Sequence, residues 1–143
     1  MALPRWKYSS FRFMEQQGGR IIPWVYKVSV HKFYLNGTYQ FDAEYSGRPE
    51  YWNDSANECV SNRGPLPRGT YTIGPAFNHP RTRAYTMRLT PYIENQMCGR
   101  DGVMIHGNSG AHPTQASDGC IILNLQGRMA INDSSDKILV VED

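Results

Sequence analysis

Between Trp24 and Val30 the sequence reads WVYKVSV, with apolar side chains recurring at every second position. A period of two marks a half-buried strand, whose side chains alternate between a core face and a wetter one. The next stretch, KFYLNGTYQF from Lys32, sets Asn36-Gly37 between two aromatic-rich arms. Both turn residues tolerate the positive φ that a tight two-residue connection needs, so this pattern predicts a β-hairpin. Further apolar or alternating runs predict strands at GTYTIG from Gly69, AYTMRLT from Ala84, GVMIHG from Gly102, CIILNL from Cys120 and KILVVE from Lys137. Helical periodicity is scarce. Only Asn53 to Cys59 and Gln126 to Ile131 suit short helices. With no internal repeat and no linker-like stretch, the pattern predicts one mostly-β domain over residues 1–143, a sheet with short helices.

Composition agrees with a folded domain and removes some partners. The 143 residues suffice for a real core, and 40% hydrophobic with 20% charged residues is a globular balance. The net charge is +2, from 15 basic and 13 acidic residues, with no basic block. Nucleic acid, which demands a clustered positive face, is therefore not an expected partner. No apolar run approaches 18 residues, so no membrane insertion is expected. The N-terminal MALPRWKYSSFRFMEQQGG lacks the apolar segment of a secretory signal, so on its own features the chain starts in the cytoplasm.

Candidate chemistry lies in HGNSGAHPTQASDGCIILN, from His106 to Asn124. His106 ends one apolar strand and Cys120 opens the next, with a loop rich in Gly, Ser, Asn and Pro between them. Adjacent strands would bring both side chains to one edge of the sheet, under a loop of turn residues and exposed amides. A free thiol is only about 3% thiolate at neutral pH, and a nearby imidazole can take its proton to make a far better nucleophile. Gly119 allows a sharp turn and a close approach by a substrate carbonyl. The amides of Gly119 and Cys120 could face a developing oxyanion, and Ser117 could hold the turn by hydrogen bonds.

Of the three cysteines (Cys59, Cys98, Cys120) at least one thiol must remain unpaired within the chain. Whether Cys59 and Cys98 form a disulfide depends on their distance in the fold. Zinc binding by His106, His112, Cys120 and Cys98 lacks the close ligand pairs of zinc sites, so no metal is expected. His31 and His79 read as ordinary surface or core residues.

A histidine followed after thirteen residues by a cysteine, within S-x-G-C and before an apolar run, resembles the L,D-transpeptidase catalytic motif. GPLPRGTYTIG (Gly64 to Gly74) is similar to the strand entry of those enzymes, and GRDGVMIHG (Gly99 to Gly107) to the segment that carries their histidine. With YSG at Tyr45 to Gly47, the resemblance is nearest to the compact L,D-transpeptidase-like antibacterial effectors of type VI secretion, over roughly residues 40 to 143. It implies Cys120 as nucleophile and His106 as base, with Gly119, Ser117 and Asp118 as the candidate oxyanion turn before the cysteine. The implied substrate is the peptidoglycan stem peptide. Attack on the carbonyl of the meso-diaminopimelate-like residue of a tetrapeptide releases D-Ala, and either water or a D-amino acid resolves the thioester. The resemblance further implies delivery by type VI secretion machinery into a target cell's periplasm, and a cognate immunity protein. Two positions depart from the common cell-wall enzymes, which carry His before Gly-Cys and Arg two residues after the Cys. Here they are Asp118 and Ile122. The substrate-holding role of that arginine passes to Arg100, Arg68 or Arg128, between which spacing does not choose, and Gly107 is a further candidate binding residue. Rival readings are a cysteine amidase or endopeptidase cutting elsewhere in the stem, and a non-catalytic peptidoglycan-binding module.

Overall fold

The structure, a computed structural model, describes residues 23–143. The N-terminal stretch read above for its missing apolar segment lies outside the described residues, apart from its consequences for localisation as an expectation. The described chain is mostly β. Its strands are β1 (Trp24–Lys27), β2 (Lys32–Leu35), β3 (Thr38–Asp42), β4 (Tyr45–Ser46), β5 (Gly69–Ile73), β6 (Phe77–His79), β7 (Arg83–Pro91), β8 (Met104–His106), β9 (Ile121–Ile122) and β10 (Ile138–Glu142). One α-helix, α1 (Leu125–Asp133), and two 3-10 turns, Pro49–Tyr51 and Ser55–Asn57, complete it.

The strands run in the order β3-β2-β1-β10-β5-β7-β8-β9-β4, with β6 pairing only with β7. Most neighbours are antiparallel, but β1 lies parallel to β10 and β8 parallel to β9. The long β7 joins the two halves: Leu89 to Pro91 pair with β5, while Met87 and Arg88 pair with β8. Asn36 and Gly37 have φ of 53° and 74°, the conformation that makes Asn-Gly a tight hairpin turn between β2 and β3. Strand β10 lies between β1 and β5 and buries Leu139, Val140 and Val141, so a continuous apolar run rather than an alternation encodes it.

Trp24, Tyr26, Phe33, Tyr71, Met87, Ile105, Ile121, Leu123, Ile131 and Leu139 belong to one core under the sheet and α1. Trp24, Phe33 and Phe41 meet with ring centroids 5.5–6.2 Å apart, within the range of favourable aromatic pairs.

Several element boundaries differ from those expected. The strand predicted to Val30 stops at Lys27, because residues 28–31 turn the chain back into β2. His31 stands in that turn with φ 45°, its Nδ1 donating to Ala43 O at 2.7 Å. The Asn53–Cys59 helix is reduced to the 3-10 turn Ser55–Asn57, whose first amides are capped by Asp54. CIILNL forms only two strand residues before Asn124 caps α1 by accepting from Gly127 N at 2.8 Å. Cys59 and Cys98 form a disulfide, with Cα atoms 5.3 Å apart, which removes Cys98 from any zinc set.

Candidate active site

The parallel pairing of β8 and β9 builds the site. Ile105 pairs with Ile121 and His106 with Ile122, so Cys120 stands beside Met104, one pair earlier. Because side chains alternate along a strand, Met104, His106, Cys120 and Ile122 share one face. The connection between parallel strands must travel their whole length. Here residues 107–119 make that journey as a loop and wall a cleft of about 990 Å3 that both His106 and Cys120 line. Both are buried, at 3% and 8% exposure.

Burial sets the resting protonation. Cys120 is the free thiol among the described residues, and loss of solvent pushes its pKa up from 9.0 to about 11, against a smaller opposing effect of the Met104 backbone amide. His106 is lowered below its usual 6.5, chiefly by the same burial, although the Gly107 carbonyl opposes this. His106 Nδ1 lies 2.8 Å from Gly107 O. A carbonyl can only accept, so Nδ1 carries the proton and Nε2 keeps its lone pair. At neutral pH the pair therefore rests as a thiol and a neutral imidazole, with one basic nitrogen ready.

The turn before Cys120 is held by one hydroxyl. Ser117 Oγ donates to Cys120 O at 2.6 Å and accepts from Gly119 N at 3.1 Å and Gly47 N at 2.9 Å. The Gly119 amide, expected to face an oxyanion, is thus engaged by Ser117, which leaves the Cys120 amide as the donor the turn can offer. Gly119 has φ +134°, and a Cβ there would run into the Arg100 guanidinium. Asp118 lines the cleft and takes Arg48 in a salt bridge, with Arg48 Nε 2.8 Å from its Oδ1.

The three arginines proposed to hold substrate have other partners. Arg100 is 9% exposed and donates to Glu58 O, Pro65 O, Gly64 O and Asp118 O, binding the Gly64–Pro65 segment to the turn before Cys120. Arg68 donates to the Glu58 carboxylate and does not line the cleft. Arg128 is buried, donating to Leu123 O, Ala84 O and Tyr85 O. Gly107 lines the cleft and leaves room for Arg128, whose Nη2 would lie 2.7 Å from a Cβ at that position. All three bind backbone or an acidic neighbour rather than facing the cleft with a free guanidinium.

Tyr45 has no role assigned from the sequence beyond its place in YSG. Its hydroxyl reaches Asn108 Oδ1 at 2.8 Å and Pro113 O at 3.1 Å, and accepts from Ala116 N at 3.1 Å. Its ring stacks on Trp52 at 5.1 Å. Ser46 Oγ accepts from Leu66 N, and Gly47 N donates to Ser117. Tyr45 and Gly47 therefore tie this segment to the site across separations of 63 to 71 residues that no local pattern displays, and Ser46 ties it to Leu66. His79, on β6, accepts from Arg81 N and Thr82 N through Nδ1 and shapes the turn at the cleft's other wall.

This strand arrangement is the L,D-transpeptidase fold. The Campylobacter jejuni helical cell shape determining protein Pgp2 superposes with a TM-score of 0.54 at 17% identity, over 92% of this chain and 55% of its own. Mycobacterium tuberculosis L,D-transpeptidase 1 gives 0.53 at 17%, over 87% and 60%. A further M. tuberculosis L,D-transpeptidase gives 0.51 at 20%, over 86% and 58%. The chain thus spans somewhat over half the length of these relatives. Within that fold, residues 40–140 match the Tlde1 domain, and the chain belongs to this family of type VI secretion effectors. No curated protein matches the sequence.

Proposed function

We propose that the protein is a cysteine peptidoglycan L,D-carboxypeptidase and L,D-transpeptidase, acting as an antibacterial toxin. The carrying observation is Cys120 and His106 on one face of β8–β9, lining one cleft, in a Tlde1 domain. Cys120 Sγ attacks the carbonyl of the third, diaminopimelate-like residue of a stem tetrapeptide as His106 Nε2 takes the thiol proton. The carbonyl oxygen becomes an oxyanion facing the Cys120 amide. Collapse breaks the peptide bond, and His106 returns the proton to the departing amine of D-Ala. The thioester then passes to water, giving a tripeptide, or to the amine of a D-amino acid, giving exchange. The Cys120 thiol, the His106 imidazole and the Cys120 backbone amide carry these steps, and the reaction calls for no metal or organic cofactor.

Effector membership supports delivery by type VI machinery and an immunity protein in the producer, with the wall-facing periplasm as the place of action. The Cys59–Cys98 disulfide suits that oxidising compartment. Incubating the purified protein with tetrapeptide-rich peptidoglycan, then weighing the muropeptides, tests the reading. Loss of one alanine residue, and its replacement when D-amino acids are added, is the expected result. Free peptide chains would instead indicate an amidase, internal cuts an endopeptidase, and unchanged muropeptides a binding module.

A further inference from the structure

The cleft is lined by two cationic side chains to which the proposed reaction gives no part. Arg81 and Arg83 flank Thr82 at the turn between β6 and β7, on the wall facing the Cys–His pair. Among the described residues neither guanidinium has a hydrogen bond or a carboxylate partner, whereas Arg48, the cleft's other arginine, is taken by Asp118. Both are exposed and so available to a ligand entering the cleft.

Their turn is heavily fixed for a surface connection. His79 Nδ1 accepts from both Arg81 N and Thr82 N, at 3.0 and 3.2 Å. Thr82 and Thr86 share a hydroxyl contact of 2.8 Å, and Thr86 Oγ1 donates to Arg83 O at 2.9 Å. Arg83 and Tyr85 adopt φ of 78° and 61°, a left-handed conformation that costs a non-glycine residue about 1 kcal/mol or more. Arg128 Nη1 holds the next carbonyls, Ala84 O and Tyr85 O. The same Arg128 lies behind Gly107, next to His106. One buried side chain thus holds the basic turn and lies beside the glycine that follows the candidate base. The positive charge of Arg81 is felt at both reacting groups, lowering the pKa of Cys120 and of His106.

We infer that Arg81, with Arg83 beside it, binds the free α-carboxylate of the residue that the enzyme releases. This rests on the proposed function and names how its substrate is selected. In a tetrapeptide, that carboxylate carbon is three bonds from the attacked carbonyl carbon, about 3–3.7 Å away. A guanidinium that recognises it must therefore stand close to nucleophile and base, and it can grip both carboxylate oxygens at once. A stem extended by one residue moves its carboxylate roughly 3.5 Å further out and loses the pairing. The turn would then restrict cleavage to the end of the stem, making the enzyme trim rather than cut internally.

The test compares a stem tetrapeptide with the same peptide carrying a C-terminal amide, using wild type, Arg81→Met, Arg81→Lys and Arg88→Met. Arg88 stacks on Phe77 outside the cleft and serves as control. Wild type and Arg88→Met should prefer the free acid by roughly 10- to 100-fold in kcat/KM, as suits one charged bidentate contact. Arg81→Met should bring that ratio near one, mainly through KM for the acid, and Arg81→Lys should restore part of it. Isothermal titration of the same two peptides into Cys120→Ala protein, with and without Arg81→Met, reads the preference without turnover. A ratio unchanged by Arg81→Met, or equal loss on acid and amide, overturns the carboxylate assignment. Failure of the wild type to release D-Ala, despite acid-selective binding by Cys120→Ala, would instead overturn the proposed reaction.

Discussion

At the residue scale, burial and one hydroxyl govern the site. Cys120→Ala should remove all D-Ala release while leaving the circular dichroism spectrum unchanged, because it deletes a thiol and no packing partner of consequence. His106→Ala should lose nearly as much, as the thiol then lacks its base. The proposed reaction needs His106 neutral, and burial holds its pKa below 6.5, so kcat/KM should rise with pH through a limb below 6.5 and then level off. Burial also keeps Cys120 protonated to about pH 11, so alkylation by iodoacetamide should still be accelerating beyond pH 9. A full alkylation rate at neutral pH would mean a resting thiolate–imidazolium pair and contradict this account. Gly119→Ala combines an unfavourable φ with a collision against Arg100 and should cost about 100-fold or more in rate. Asp118→Ala removes only a half-exposed salt bridge to Arg48, worth about 0–1 kcal/mol, and should be mild. Equal, severe losses in the two variants would assign Asp118 a direct part in the reaction.

At the scale of elements, two buried arginines join segments that the strand ladder leaves apart. Arg100 links the 3-10 region and the Gly64–Pro65 segment to the turn before Cys120, and Arg128 links α1 to the start of β7. Replacing Arg100 by Met strips four carbonyls of their donor and should lower unfolding free energy by roughly 3–5 kcal/mol. Urea denaturation measures this, and a change under 1 kcal/mol would show that the carbonyls find water or other partners. The loss of rate should follow the loss of fold. Asn124→Ala, which uncaps α1, should cost about 1 kcal/mol and leave the rate intact.

For the whole molecule, the disulfide and the compartment are coupled. Cys59 and Cys98 lie 39 residues apart in sequence, and closing such a loop stabilises by about 4 kcal/mol on the chain-entropy estimate. Cys59→Ser should therefore unfold at lower urea concentration, and reductant should move the wild type to the same midpoint while the variant's rate persists under folding conditions. An identical midpoint with and without reductant would mean that the bond adds nothing. In bacteria, exporting the chain to the periplasm should cause swelling, division defects or lysis, whereas cytoplasmic expression should be tolerated. Cys120→Ala in the exported form should restore growth. Toxicity indifferent to Cys120 would remove the wall-directed reading.

The strands, their alternation, the Asn36-Gly37 hairpin and the positions of His106 and Cys120 at two strand ends follow from local chemistry. Period-two patterning, turn propensity and apolar runs act over a few residues, so one sequence displays them. That Cys59 and Cys98 pair, that β8 and β9 run parallel, and that Ser117 takes the Gly119 amide depend on segments distant in the chain. The arginines illustrate the divide. Spacing left Arg100, Arg68 and Arg128 as equal candidates to hold substrate, because a guanidinium reads the same whether it meets carbonyls, a carboxylate or solvent. Packing separates them: Arg100 and Arg128 are buried against backbone carbonyls, Arg68 lies against Glu58, and Arg81 is carried to the cleft by a turn whose left-handed residues no propensity favours. Burial and partner are properties of the folded chain, and for a charged side chain they determine its role.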